Sequence, residues 1–384
     1  MAIFRPGNRI ALLRNGAEYF PALETAIDGA GSDVHLETYI FADDPTGRRI
    51  ALALIRAAER GVRVRVVVDG FGTRGYSGTL FEELQTGGVE VVVYRPEVAR
   101  FRFRKHRLRR LHRKIAVVDG RTAFVGGINI IDDMNTPKHV PPRFDYAVCV
   151  EGPLLADIYP VVRRLWMMLR WIQLRYRAGD PAEPPLLAAP AGDRLAAFVY
   201  RDNLRHRRDI EEQYLVAIEK ASSEIIIANA YFFPGTNFRR ALIAARKRGV
   251  RVTLLLQGRV EYVLLHYASR ALYGTLLNGG VEIIEYHRSF MHAKVAVFDG
   301  EAATVGSSNI DPFSLFLSRE ANVWIRDAGF ANELRASLES AMQGGARALE
   351  QKRWRDRPYV ERVLTWVCYG VARLMMGFVG YVHE

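Results

Sequence analysis

The sequence has only two cysteines in 384 residues, Cys149 and Cys368, far apart in the chain. That excludes a disulfide framework and a cysteine-built zinc site, and it fits a reducing compartment. Lysine is nearly as scarce: seven of the 54 basic residues, which leaves 47 arginines. A GC-rich coding bias accounts for most of that ratio, but arginine also stays charged at every biological pH and grips phosphate with a planar fork. No apolar run reaches the ~18–20 charge-free residues that span a bilayer. The longest candidate, residues 363–382, carries Arg373 in its middle. Residues 1–16 alternate polar and apolar side chains, which is expected of neither a signal peptide nor an N-terminal anchor.

What is present is globular and basic. Hydrophobic residues make up 49% and charged residues 25%, enough apolar material for two cores of ordinary size. The net charge of +12 predicts an anionic partner, either an acidic membrane surface or nucleic acid.

The chain repeats itself once. Leu36-Glu37-Thr38-Tyr39-Ile40-Phe41 aligns with Ala228-Asn229-Ala230-Tyr231-Phe232-Phe233 at an offset of 192. Arg60-Gly61-Val62-Arg63-Val64 recurs at Arg248 with an offset of 188, and Gly87-Gly88-Val89-Glu90 recurs at Gly279 with 192. A long period occurring twice means duplicated domains, not a solenoid. Each copy reads as strand, helix, Val-rich strand, helix, strand, then two short β runs about an Asp-Gly turn. The expected class is therefore α/β, with a layered sheet in each half. The expected boundaries are a first domain over 1–177, a proline-rich linker over 178–195, a second domain over 196–350 and a C-terminal amphipathic segment over 351–384. The copies differ by an insertion of about twelve residues within 95–111, rich in arginine and ending at His112.

His112-Arg113-Lys114 with Asp119 forms H-x-K-x-x-x-x-D, and His292-Ala293-Lys294 with Asp299 forms it again. Each lysine is followed fifteen residues later by an asparagine, Asn129 and Asn309. On a strand, i and i+2 share a face, so imidazole and ammonium point together. A cation can hold non-bridging phosphate oxygens while an imidazole does covalent or proton-transfer work. Two such strands would surround one phosphate with two His and two Lys: one histidine attacks phosphorus, the other serves the leaving and entering oxygens. Each ring needs an orienting partner on its second nitrogen. Glu320, 28 residues after His292, and Asp145, 33 after His112, are the candidates.

These residues resemble the phospholipase D superfamily, whose signature is this duplicated motif with the later Gly-rich turn and Asn. Within it the chain is similar to the bacterial cardiolipin synthases, closest to the B type, through Leu36-Glu37-Thr38, Leu111-His112-Arg113-Lys114, Phe124-Val125-Gly126-Gly127-Ile128-Asn129, Asp145-Tyr146-Ala147-Val148, Ile227 to Gly235, and Val305-Gly306-Ser307-Ser308-Asn309-Ile310-Asp311-Pro312. The absence of two N-terminal spans agrees with that type. The resemblance implies two pseudo-symmetric α-β-α sandwiches joined face to face around one site, with neither metal nor cofactor. It implies His112 as nucleophile, His292 as general acid/base, and Lys114, Lys294, Asn129, Asn309 and Ser307 on phosphate oxygens. It implies transfer of a phosphatidyl group between two phosphatidylglycerol molecules with release of glycerol, cardiolipin being the product. The expected location is the cytoplasmic face of a bacterial inner membrane, held peripherally. One departure stands out: Gly127 occupies the place of Ser307.

Other readings weigh against these. Asp119 and Asp299 complete the motif and count among its candidate catalytic residues, although an Asp before Gly at a hairpin is better suited to shaping the turn. One His beside a Lys on each strand disfavours zinc. His35, His106, His139, His206, His266 and His287 lack a partner pattern and are expected in packing or surface roles. The arginine-rich insertion, with Phe101 and Phe103 interleaved, is expected at a lipid headgroup surface. Residues 159–176, with Trp166 and Trp171, fit a core helix and an interfacial one equally well. Residues 358–382 fit a reversible interfacial helix. The competing activities are hydrolysis of phospholipid and cleavage of nucleic acid, the latter disfavoured; intact motifs in both copies argue against a non-catalytic scaffold.

Overall fold

The computed structural model describes residues 2–75, 78–95, 109–136, 140–172, 188–202, 205–260, 263–311 and 317–379. The first half runs β1 (Arg5–Arg14), α1 (Asn15–Asp28), β2 (Asp33–Thr38), α2 (Pro45–Glu59), β3 (Arg63–Asp69), α3 (Leu80–Thr86), β4 (Glu90–Tyr94), β5 (Lys114–Val118), β6 (Thr122–Gly126), β7 (Arg143–Phe144), β8 (Tyr146–Glu151) and α4 (Leu155–Ile172). The second runs β9 (Arg194–Arg201), α5 (Asp209–Lys220), β10 (Glu224–Asn229), α6 (Thr236–Lys247), β11 (Arg251–Gln257), α7 (Val263–Asn278), β12 (Glu282–Tyr286), β13 (Phe290–Met291), β14 (Lys294–Phe298), β15 (Ala302–Gly306), β16 (Glu320–Arg326) and α8 (Ala328–Gln343). β17 (Ala346–Ala348), α9 (Gln351–Arg355) and α10 (Tyr359–Val379) follow. β9 opens inside the expected linker, two residues before 196. Most of the arginine-rich insertion, with His106, lies outside the described residues, as do His139 and most of the linker.

Strand order makes the duplication explicit. The described sheet runs β17-β12-β11-β10-β14-β15-β16-β9-β1-β8-β6-β5-β2-β3-β4. Apart from β17, it reads the same outward from the β9–β1 junction in both directions. In each half the repeat's three strands are parallel (β2-β3-β4 and β10-β11-β12), because each is separated from the next by a helix. The motif strands β5 and β14 then add antiparallel beside β2 and β10. Each motif strand turns through Asp-Gly, with positive φ at both Asp119 and Gly120 and at both Asp299 and Gly300, the backbone of a tight hairpin.

The halves meet by faces as well as by edges. One core mixes Ile115, Val117 and Val148 with Val295, Val297 and Val323, all fully buried. β6 and β8 lie against β15 and β16 there, and α4 and α8 cover the same layer. Separate cores under α1 and α2, and under α5 and α6, fill the outer faces. Burying each large apolar side chain stabilises the fold by roughly 1.5–3 kcal/mol, so the shared layer holds the two halves, and with them the motif strands, in fixed relation.

Candidate active site

Alternation along β5 and β14 separates two kinds of side chain. Lys114 and His112 share one face, while Arg113 between them points to the other and forms a buried ion pair with Glu37, its Nη2 donating to Oε1 at 2.9 Å. In the second copy the corresponding residues are the neutral Ala293 and Asn229. Breaking such a buried pair on one side costs about 3–5 kcal/mol, so Arg113 anchors the first motif strand from behind.

The backbone before each histidine is held by the opposite half. Arg319 O accepts from His112 N at 3.0 Å and from Arg113 N at 2.8 Å. In the mirror arrangement β13 pairs in parallel with β7, and Phe144 O accepts from His292 N at 2.8 Å. Residues 319 and 144 each immediately precede one of the two candidate orienting acids. The acids are therefore exchanged: Asp145 of the first half sits 2.6 Å from Nδ1 of His292, and Glu320 of the second sits 2.9 Å from Nδ1 of His112. With a carboxylate oxygen beside Nδ1 of each ring, Nε2 is the nitrogen left for chemistry. Sequence spacing placed each acid beside its own motif; it carried no sign of the exchange.

The lysines complete a buried cluster of charge. Lys294 Nζ donates to His292 O and stands 2.8 Å from His292 Nδ1 and 3.8 Å from Asp145. Lys114 Nζ donates to His112 O at 2.5 Å and faces the Tyr39 ring at 5.4 Å. Burial lowers the Lys114 ammonium to about 7, Glu320 opposing and Lys294 reinforcing the shift. Burial likewise raises Asp145 to about 6 against the pull of Lys294. Burial pushes His112 below the ordinary imidazole value, with Glu320 opposing. His292 falls well below it through burial, then through Lys294, Arg143 and Lys114. The cluster has an excess of cationic groups facing inward, an arrangement that an anionic phosphodiester would neutralise.

The asparagines flank this cluster and both are buried. Asn129 Oδ1 accepts from Ile40 N at 3.1 Å, which leaves only its amide nitrogen to donate elsewhere. Ser307 differs from expectation. Its hydroxyl donates to Glu320 Oε2 at 2.5 Å and accepts from Ala321 N at 3.0 Å, so it is spent on the acid rather than offered to phosphate. This also explains the departure at Gly127. A Cβ there would lie 2.3 Å from Asp145 Oδ1, because the shorter aspartate brings its carboxylate into the volume that Ser307 fills beside the longer Glu320.

Asp119 and Asp299 fall outside the cluster and are corrected to structural roles. Each lies five residues beyond its lysine on a strand, about 16 Å away. Asp119 accepts from Gly31 N, Ser32 N, Ser32 Oγ and Asp33 N at 2.7–2.9 Å. Asp299 accepts in the same way from Ser222, Ser223 and Glu224. Partial burial would raise Asp119, but those donors pull it below its ordinary value.

Sequence reasoning missed Tyr39, whose ring centroid is 4.9 Å from that of His112, and Arg143, which lies over Phe290 beside His292. Tyr39 lay inside the repeated segment, and Arg143 two residues before Asp145; neither position alone distinguishes a site residue from a packing residue.

The profile of the cardiolipin synthase, PLD-like domain matches residues 23–139 and 214–342, one stretch in each half. The chain belongs to that family. Among family relatives, cardiolipin synthase B of Escherichia coli K12 is 37% identical over 383 residues, covering 99% of this chain and 91% of that protein. The cardiolipin synthase of Geobacillus kaustophilus is 31% identical, covering 93% of this chain and 70% of its own. Among solved structures, phosphatidylserine synthase of Haemophilus influenzae superposes with a TM-score of 0.69 at 12% identity, over 96% of this chain and 94% of that one. Polyphosphate kinase of Porphyromonas gingivalis superposes with 0.58 at 13% identity, over 97% of this chain and 54% of that one. At such identities the shared property is the fold, which the family builds here from both halves of one chain.

Proposed function

We propose that the chain is a cardiolipin synthase, a phosphatidyltransferase that joins two phosphatidylglycerol molecules and releases glycerol. The observation that supports this reading most is the exchanged pairing of Asp145 with His292 and Glu320 with His112, which commits both motifs to one site. Nε2 of His112 attacks the donor phosphorus and forms a P–N bond. The P–O bond to glycerol breaks, and His292 gives its Nε2 proton to the departing oxygen. The hydroxyl of a second phosphatidylglycerol then loses its proton to His292 and attacks phosphorus, and the P–N bond breaks to restore His112. Lys114, Lys294, Asn129 and Asn309 hold the non-bridging oxygens throughout.

A second reading exchanges the histidines. His292 is surrounded by Lys294, Arg143 and Lys114 and is the more firmly neutral ring, as a nucleophile must be, whereas Glu320 favours the protonated form of His112. Labelled phosphatidylglycerol vesicles, with products identified by mass spectrometry, test the activity itself; an absence of cardiolipin would refute it. A covalent lipid adduct trapped in His292→Ala supports His112 as nucleophile, and one trapped only in His112→Ala supports the exchange.

The anionic surface that supplies the substrate would be met by α10. No described helix is long and apolar enough to cross a membrane. Yet Val360, Leu364, Val367, Val371 and Leu374 are all exposed at helical spacing on one face of α10, with Trp366 beside them. This face supports a peripheral position on a membrane surface; the cytoplasmic side of a bacterial inner membrane is the location this reading assigns to it.

A further inference from the structure

Helices α7, α9 and α10 meet around Trp354, and the charges gathered there do not balance. Over residues 351–362 five basic side chains stand against two acidic ones, Asp356 and Glu361. Trp354 is buried and has a guanidinium over its ring twice: Arg357 Cζ lies 3.2 Å from the centroid and Arg270 Cζ 5.0 Å. Arg270 is held by Glu285, its Nη1 donating to Oε1 at 2.9 Å. One further carboxylate is shared by both: Glu361 Oε1 lies 3.4 Å from Arg357 Nη1 and 3.8 Å from Arg270 Nη2. Arg355 and Arg362, exposed beside them, have no carboxylate partner among the described residues. Burial lowers Arg357 below the ordinary guanidinium value; Glu361 opposes the shift, and the neighbouring Arg270 and Arg362 add to it.

Between these helices a hollow of about 270 Å³ stays open, lined by Thr275 of α7, by Trp354, Arg355 and Arg357, and by Arg362 and Trp366 of α10. That is close to the ~300 Å³ at which small-molecule sites begin, room for a phosphodiester with a glycerol arm but not for acyl chains. The surface beside it suits the chains. On the helical wheel Arg362, Trp366 and Arg373 fall along one flank of the exposed apolar face of α10, which carries Val360, Val363, Val367, Val371 and Leu374. A helix lying in a membrane interface keeps cations and tryptophan at its rim, level with the headgroups, and turns its apolar side chains toward the acyl region. The hollow opens on that rim.

We propose that this hollow binds the phosphodiester of an anionic phospholipid, with Arg355 and Arg362 on its oxygens, and that the bound lipid anchors α10 to the membrane. The inference rests on the membrane contact proposed above for α10 and adds to it a headgroup site apart from the reacting centre. None of the lining residues belongs to the motif cluster. Two turns of α7, about 11 Å, separate Thr275 from Ala268, where α10 packs through Cys368 and Ala372. There Tyr369 of α10 meets Phe233, ring centroids 5.8 Å apart, and Phe233 N donates to Ile310 O at 2.7 Å, next to Asn309. α10 therefore leads from the hollow toward the catalytic end of the second half. A lipid held at its start would fix the helix, and the site beyond it, against the surface that carries the substrate. Apolar burial alone would hold any bilayer; a phosphodiester between two arginines adds a preference for an anionic one.

The test measures binding of the full chain to phosphatidylcholine vesicles with and without phosphatidylglycerol, and the ratio of the two affinities reports the anionic preference. Wild type is compared with Arg355→Gln, Arg362→Gln, the two combined, and Thr275→Trp, which fills the hollow without changing charge. Each arginine variant should lower the ratio about fivefold and the pair about 25-fold. Thr275→Trp should lower it by at least about fivefold. All four should turn over short-chain, monomeric phosphatidylglycerol as wild type does, because the anchor takes no part in the reaction. A wild-type ratio in Thr275→Trp would overturn the site and leave only diffuse attraction to the arginines, and a wild-type ratio in the paired variant would overturn it outright. A loss on monomeric substrate would move these residues into the reaction. Release of wild type by free glycerol phosphate at constant ionic strength would assign the hollow to a soluble phosphate rather than a lipid. A wild type with no anionic preference would sink the membrane contact of α10 itself; one that binds but makes no cardiolipin would sink the reaction and leave the anchor standing.

Discussion

Asp145 and His292 lie 147 positions apart in sequence and 2.6 Å apart in space, each contributed by a different half of the chain. The reciprocal pair, Glu320 and His112, crosses the same boundary in the opposite direction. Neither half supplies both members of either of these two pairs. Any change in how the two halves meet is therefore felt at the histidine rings.

Asp145→Asn and Glu320→Gln should each leave the fold intact and remove the charge that fixes a ring tautomer. By comparison with other carboxylate–histidine pairs, kcat should fall on the order of 10²–10⁴-fold. The positioning role predicts an altered pH–rate profile together with the fall in kcat. A fall confined to thermal stability, with an unchanged profile, would contradict it.

Much of this was legible in the sequence, for definable reasons. The repeat and the motif spacing are local patterns, and strand alternation converts them directly into a shared face for His112 and Lys114. The turn role of Asp119 was equally local, since an Asp-Gly pair between β runs restricts the backbone to positive φ. The exchange of acids was not legible, because it depends on which segments of opposite halves pair, at Arg319 and Phe144. Nor was the use of Ser307, because a hydroxyl two residues before Asn309 can serve phosphate or Glu320 equally well on paper. Its cause is the extra methylene of Glu over Asp, visible only once Gly127 is seen against Asp145.

Gly127→Ser should therefore harm the site it superficially completes. The new Cβ would meet Asp145 Oδ1 at 2.3 Å, and overpacking of this kind costs about 1–3 kcal/mol. Displacing Asp145 should lower kcat as well. Pairing it with Asp145→Ala should restore stability but not turnover. Equal activity of Gly127→Ser and wild type in the vesicle assay would refute this account of the asymmetry.

Lys114 carries a cost of the site into the stability of the fold. Its ordinary value of 10.5 falls to about 7 on folding, first through burial. Between those two values the unfolded chain binds more protons than the folded one, so this residue makes stability rise with pH across about 7 to 10.5. Below about 7 the folded chain bears the full penalty of a buried cation. Lys114→Met should remove that pH dependence and raise stability at pH 6 by about 1–3 kcal/mol, after the lost attraction to Glu320 is allowed for. It should also abolish transfer. In wild type, kcat/KM should decline as pH rises past about 7, where the cation that holds phosphate is lost. Denaturant melts at pH 6 and pH 9 check the first expectation, and a Lys114→Met protein less stable than wild type at pH 6 would contradict it.

Asp119→Ala and Asp299→Ala separate motif membership from catalysis. Each removes a carboxylate that accepts several hydrogen bonds from the segment leading into β2 or β10, and each should destabilise by about 1–3 kcal/mol. The lysine and histidine lie at the other end of the same strand, so turnover per folded molecule should stay within about twofold of wild type well below the melting temperature. Melting curves and active-site titration by covalent lipid distinguish the two effects. A large loss of kcat at full occupancy would return these aspartates to the chemistry. Retention of both kcat and stability would leave the hydrogen bonds at Ser32 and Ser223 without energetic consequence, which so many donors converging on one carboxylate make untenable.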